Sequence, residues 1–105
     1  MRDNPDFNGA FLEAVDEGFL VLGKELRQAV YRYLETHNGL KREELPDRLD
    51  EFSRALEGIF GRSARILEKV ILKRFYAHLG LEFKEGGDPS FKDYVDNARR
   101  TVDER

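Results

Sequence analysis

Residues 62–79 read RSARILEKVILKRFYAHL, and this stretch decides the fold class. Placed on a helix at about 100° per residue, its apolar side chains spread over most of the circumference. A helix that is apolar nearly all round is buried by neighbours on several sides. We therefore expect the central helix of a small all-α domain, or a helix shared with a second subunit. The apolar residues are Ile66, Leu67, Val70, Ile71, Leu72, Phe75, Tyr76 and Leu79.

The narrow polar gap on this helix is basic, and residues 62–74 carry five cations and one Glu, a net charge of +4. A line of cations on one helix can follow a phosphate backbone, so this basic stripe is a candidate surface for nucleic acid or another partner. The acidic segment 3–25, with a net charge of −5, could instead pack across the stripe and neutralise it. We favour neutralisation within the fold. The stripe consists of Arg62, Arg65, Lys69, Lys73 and Arg74.

The rest of the chain shows helical periodicity and no sustained strand-like alternation. We expect one domain over residues 1–105, a compact all-α bundle of about five helices, with frayed ends at 1–6 and 103–105. A break near Gly23 separates the first two helices, although one continuous helix is an alternative. The expected helices cover about 8–22, 24–37, 47–60, 62–79 and 89–102.

Glycine and proline mark the other helix ends. Gly39 should end the second helix in the left-handed conformation, and Gly61 should end the third. Pro46 suits the first turn of the third helix. The pair Asp88 and Pro89 predicts the start of the last helix, with Asp as the cap and Pro at the first position.

Composition narrows the class of protein. The chain is 40% apolar, which is enough for a core, and it has no Cys, which excludes a disulfide scaffold and a thiolate metal site. No apolar run is long enough to span a bilayer and no signal-like segment is present, so we expect a cytoplasmic protein without membrane contact. Charged residues make up 37% of the chain at a net charge of only −3. Such dense mixed charge with few thermolabile residues is typical of thermostable proteins.

The sequence offers no convincing reaction centre. No Ser lies in a G-x-S-x-G setting, and His37 and His78 are read as capping or surface residues rather than as a zinc pair. A carboxylate group at Asp47, Asp50 and Glu51 could hold magnesium weakly, but a solvated face with a Glu51–Arg54 ion pair is the favoured interpretation. We therefore predict no enzyme, no cofactor and no metal.

Self-association is the remaining expectation. A chain of this length has limited capacity to surround a helix on all sides, so one face of the central helix could contact a second copy. An isologous homodimer is the commonest solution. The predicted self-association face is Leu72, Phe75, Tyr76 and Leu79, and a face formed by Ile66, Val70 and Phe75 is the alternative.

Three runs of sequence point to a family. They are LGKELRQAVYRYLE (22–35), LKREELPDRLDEFSRALEGIFG (40–61) and LEKVILKRFYAHLG (67–80). Together they resemble the Nitrosopumilus-type output domain, a family of short helical archaeal proteins and domains, over about residues 11–84. Tyr31 and the stretch 46–61 carry the likeness best, and Leu45 stands where the family has Ile.

That resemblance implies an output or interaction role in archaeal signalling, with no catalytic residues to transfer. The functional prediction is therefore a non-catalytic regulatory module that acts through contacts with an unknown protein partner, as a homodimer. The alternative is a nucleic-acid-binding regulator that uses the basic stripe.

Overall fold

A computed structural model describes residues 7–85 and 89–104. Within these ranges the chain forms five α-helices, two short 3-10 helices and no strand, which confirms the all-α prediction. None of these helices is long and apolar enough to cross a bilayer. The α-helices are α1 (Phe7–Leu20), α2 (Lys24–Asn38), α3 (Leu49–Phe60), α4 (Ala64–His78) and α5 (Phe91–Asp103), and the 3-10 helices cover Arg42–Asp47 and Gly61–Ser63.

Helix α4 is the centre of the bundle, as its sequence predicts, and packs against α1, α3 and α5. The most extensive of these contacts is with α1, where Gly18 faces Ile71. A Cβ atom at Gly18 would lie 2.6 Å from Cγ1 of Ile71, well inside van der Waals contact. The close approach of α1 and α4 therefore depends on a glycine at this position.

Aromatic rings fill the space between the helices. Phe11 of α1 meets Phe75 of α4 at a centroid distance of 5.4 Å and Phe52 of α3 at 6.5 Å, both edge to face. Phe91 of α5 lies 5.9 Å from Phe52 in the same arrangement. Each such pair contributes about 0.5–1.5 kcal/mol beyond the burial of its area. The four rings tie four of the five helices to one core.

Helix α2 lies at the periphery and fully buries only Val30 and Leu34. Its main polar link to the bundle is Asp16 of α1. The hydroxyl of Tyr31 donates to Oδ1 of Asp16 at 2.5 Å, and the guanidinium of Arg42 donates to both carboxylate oxygens at 3.0 and 2.6 Å. One half-buried carboxylate thus joins α1, α2 and the first 3-10 helix.

The helix ends predicted from glycine are confirmed. Separate helices lie on either side of Gly23, and α3 ends at Phe60 with Gly61 as its cap. Gly39 caps α2 with a φ of 63°, and its N–H donates to the carbonyl of Leu34. This left-handed conformation is far less costly for glycine than for other residues.

The predicted helix starts need correction. Pro46 lies inside the 3-10 helix Arg42–Asp47, and α3 begins only at Leu49. Arg62 likewise lies in the second 3-10 helix, so α4 begins at Ala64 rather than at residue 62.

The last helix also starts later than predicted. Its cap is Ser90, whose hydroxyl accepts from the N–H of Asp93 at 3.1 Å, while the Asp93 carboxylate accepts from the N–H of Ser90 at 3.1 Å. These reciprocal bonds fix the start at Phe91. Asp88, the predicted cap, lies outside the described residues, as do residues 1–6 and 105. Helix α5 extends to Asp103, one residue into the end that was expected to fray.

Candidate functional site

All five side chains of the basic stripe are exposed, and carboxylates of the described residues approach Lys69, Lys73 and Arg74. The Nζ atoms of Lys69 and Lys73 lie 2.8 and 3.7 Å from the carboxylate of Glu85. Its hydrogen bond to Glu85 raises the pKa of Lys69. Arg74 lies 3.8 Å from Glu17 of α1. The stripe is therefore largely compensated by the protein's own acids.

The source of this compensation differs in part from the prediction. The acidic segment 3–25 supplies only Glu17 among its described residues, and this carboxylate contacts Arg74 and lies 3.0 Å from Nε2 of His78. The two lysines are instead paired by Glu85, which lies beyond α4 in a segment that returns along that helix. Charge counting along the sequence could not reveal this return.

The predicted self-association face is wrong. Its four side chains, Leu72, Phe75, Tyr76 and Leu79, are at most 4% exposed and belong to the core of the single chain. Phe75 packs edge to face on Phe11 of α1, and the hydroxyl of Tyr76 donates to the backbone carbonyl of Tyr94 in α5 at 2.7 Å. In the alternative face, Ile66 is exposed, Val70 is half-buried and Phe75 is buried. No continuous apolar face of α4 is left for a second copy.

A cleft of about 700 Å³ lies beside α4, between α3 and the start of α5, and sequence reasoning missed it. On its wall, the Ser53 hydroxyl donates to Oε2 of Glu68 at 2.6 Å. Burial and then the nearby charge of Glu57 raise the pKa of Glu68, against the opposing effects of Ser53 and Arg65. The only signal for this pair was that the apolar faces of α3 and α4 must meet, which brings Ser53 and Glu68 to one seam.

His37 and Glu51, two further candidate residues, have structural partners within the fold. The ring of His37 stacks on Tyr33 at a centroid distance of 4.1 Å. Glu51 accepts from Arg48 at 2.6 Å rather than pairing with Arg54 as predicted. Within the described part of the chain, no group of three or more His, Cys, Asp or Glu is arranged to hold a metal ion.

Apart from Ile66 of α4, the large apolar side chains that are exposed in the described part of the chain lie on the outer face of α2 and the turn that precedes it. Leu20, Val21, Leu26 and Tyr33 are 50, 67, 45 and 42% exposed. Leu20 and Val21 form what we call the α1–α2 corner. Tyr33 forms one wall of a groove of about 500 Å³ between α2 and α3. This α2–α3 groove is lined by Tyr33, His37, Asn38, Glu51, Arg54, Ala55 and Gly58.

Gly58 is the unusual member of this groove. It lies inside α3, has no positive φ, and is exposed. A Cβ atom there would meet nothing within 4 Å, in contrast to Gly18. A glycine inside a helix costs about 1 kcal/mol relative to alanine. Neither the helix itself nor its packing explains why glycine occupies this position.

In comparisons with known proteins, no family model, curated protein or solved structure matches this chain.

Proposed function

We propose that this protein is a non-catalytic regulatory module that acts through protein–protein contacts at the α2–α3 groove and the adjoining face of α2, and that it forms a homodimer. The observation that carries the proposal is the apolar outer face of α2 beside an open groove. Exposed apolar side chains that cluster on one surface are characteristic of interaction sites. Tyrosine is also among the residues that most often anchor protein interfaces.

Gly58 supports the same surface. Small side chains on a helix allow another backbone to approach closely, as Gly18 does for α4 within this chain. At Gly58 the helix bears the cost of a glycine and its own fold makes no use of the space. A partner that enters the groove would use that space.

The setting of this function is part of the proposal. The resemblance to the Nitrosopumilus-type output domain favours a role in the output of archaeal signalling. A cytoplasmic location is compatible with the absence of cysteine from the sequence. Thermostability, expected from the dense mixed charge, is a separate and measurable property.

Light scattering coupled to size exclusion tests the proposal. The chain has a mass of 12.2 kDa, and we expect the measured mass to rise toward twice that value as concentration increases. The double variant Leu26→Glu with Tyr33→Glu should stay monomeric, because it places charge on the apolar face of α2. Ile66→Glu is the matched control: Ile66 is 70% exposed but lies on α4, so this variant should dimerise like the wild type. An equal loss of dimer in the α2 double variant and in Ile66→Glu would contradict the assignment of the dimer contact to α2.

Binding of nucleic acid by the basic stripe is the less favoured alternative, because Glu85 and Glu17 already approach three of its cations. Fluorescence anisotropy with labelled duplex DNA and RNA at low salt distinguishes nucleic-acid binding from the proposed protein–protein function. Binding that weakens steeply with salt and is abolished in the double variant Lys69→Glu with Lys73→Glu would favour the nucleic-acid alternative.

A further inference from the structure

We infer that the surface proposed above receives α2 of a second copy, and that the two α2 helices pair antiparallel so that Glu25 of each copy meets Arg32 of the other. This inference rests on the proposed function and makes it specific, because it names the partner, the helix and the direction of pairing.

The outer face of α2 has the spacing of a helix–helix seam. Leu26, Ala29 and Tyr33 follow at intervals of three and four residues and lie within about 60° of one another on the helix. This is the pattern of positions a and d in a coiled coil. All three are exposed, and the buried face of α2, centred on Val30 and Leu34, lies beside them. The seam is therefore available while α2 stays docked on α1.

Charge sets the direction of pairing. Glu25 and Arg32 are seven residues apart, so they lie on the same edge of the seam, two turns apart. Both are exposed, and neither forms an ion pair with another residue in the described ranges. In an antiparallel pair, this edge of one α2 faces the same edge of the other α2, which runs in the opposite direction. Glu25 of each copy therefore meets Arg32 of the other. In a parallel pair Arg32 would approach His37 and Glu25 would approach Val30, without any attraction between charges.

The same register accounts for the other exposed apolar residues near α2. If Leu26 packs on Ala29 of the second copy, the two-fold axis passes near Arg27 and Gln28. Tyr33 then meets the α1–α2 corner of the second copy. That corner brings its exposed Leu20 and Val21 to the wall of the groove, beside the open space at Gly58.

The expected dimer is small. Helix α2 has 15 residues, so it is about 22 Å long. A seam of that length with one corner at each end buries less than the roughly 800 Å² per partner of a standard interface. We therefore expect a dimer of about micromolar affinity, dissociated at high dilution.

Charge reversal tests this pairing by sedimentation equilibrium. Glu25→Arg and Arg32→Glu should each weaken the homodimer about tenfold, because two contacts change from attraction to repulsion. The effect should shrink at high salt. A mixture of the two single variants should recover the wild-type affinity as a heterodimer, and so should the chain that carries both changes. Glu35→Arg, on the far side of α2, is the matched control and should leave the affinity unchanged.

Disulfide trapping tests the direction independently, since the chain has no native cysteine. An equal mixture of Glu25→Cys and Arg32→Cys, distinguished by mass, should oxidise mainly to the mixed disulfide. Two outcomes would overturn this inference and leave the proposed function standing. One is that disulfides form mainly between two copies of the same cysteine variant, and the other is that the charge variants dimerise as tightly as the wild type. A wild-type chain that stays monomeric at about 200 µM, some hundredfold above the expected dissociation constant, would overturn the second copy as occupant. It would also remove the homodimer from the proposed function.

Discussion

Two glycines inside helices have opposite surroundings, and alanine separates their roles. At Gly18 a Cβ would press on Ile71, so Gly18→Ala should lower the free energy of unfolding by about 1–3 kcal/mol through overpacking. At Gly58 the space is open, so Gly58→Ala should raise it by about 0.5–1 kcal/mol through helix propensity. Urea denaturation at low protein concentration measures both. Changes of the same sign would contradict the packing described for α1 and α4.

Glu68 should make stability depend on pH in the direction opposite to most carboxylates. Burial raises its pKa in the folded chain, so the folded state binds the proton more tightly than the unfolded state. The free energy of unfolding therefore falls as pH rises from the unfolded pKa through the folded pKa. Glu68→Gln keeps an acceptor for Ser53 and removes the charge, so this variant should be more stable than the wild type at neutral pH.

That advantage should vanish below the unfolded pKa of glutamate, where the wild-type side chain is protonated in both states. Chemical denaturation across pH 3 to 7 measures the difference. Glu43→Gln, at an exposed position in the first 3-10 helix, is the control and should leave the profile unchanged. A constant difference between Glu68→Gln and the wild type over the whole range would show that the charge is not responsible.

For single residues, the sequence predicted the chemical role of a side chain better than it predicted which other residues that side chain contacts. It identified the basic stripe and anticipated that acids in the fold would compensate it. It did not identify Glu85, because the pairing depends on where the chain returns after α4. The seam between Ser53 and Glu68 was missed for the same reason: 15 residues separate them along the chain.

Among the elements, α5 offers a direct test of its start. Ser90→Ala should lower the free energy of unfolding by about 1 kcal/mol, because it leaves the N–H of Asp93 without its acceptor. Ser63→Ala is the matched control, since Ser63 precedes α4 in the same position without a side-chain cap bond. Thermal unfolding followed by circular dichroism compares the two. A similar loss of stability in both variants would show that the reciprocal bonds of Ser90 do not stabilise α5.

The elements themselves were largely predictable, and the reason is local. Gly39 and Gly61 end helices through their own backbone conformation, which needs no tertiary contact. The start of α3 was misplaced because Pro46, expected in its first turn, lies in a 3-10 helix that precedes it. At α5 the sequence pattern predicted Asp88 as the cap, and the reciprocal bonds of Ser90 with Asp93 instead start the helix at Phe91.

For the whole molecule, self-association predicts a melting temperature that depends on concentration. A dimer that dissociates on unfolding is stabilised by mass action, so the midpoint should rise by a few degrees between about 5 and about 200 µM. Scanning calorimetry measures the shift. The variant Leu26→Glu should show no such rise. A wild-type midpoint independent of concentration would contradict association of the folded chain over this range.

The arrangement of the helices was only half predictable. The all-round apolar pattern of residues 62–79 correctly placed α4 at the centre. Leu26, Val30 and Tyr33 share the apolar side of α2 by their helical spacing, but the structure buries Val30 and leaves the other two exposed. Periodicity shows which side of a helix is apolar, and it does not show how far a neighbouring helix extends over that side.

The contact between α1 and α4 also has a consequence for synthesis. Helix α1 ends at Leu20 and α4 ends at His78, so its main partner emerges from the ribosome roughly 60 residues later. At about 5–20 residues per second, the apolar side of α1 remains uncovered on the nascent chain for about 3–12 s. We expect ribosome-bound chains truncated before α4 to recruit holdase chaperones, and chains long enough to expose α4 to release them.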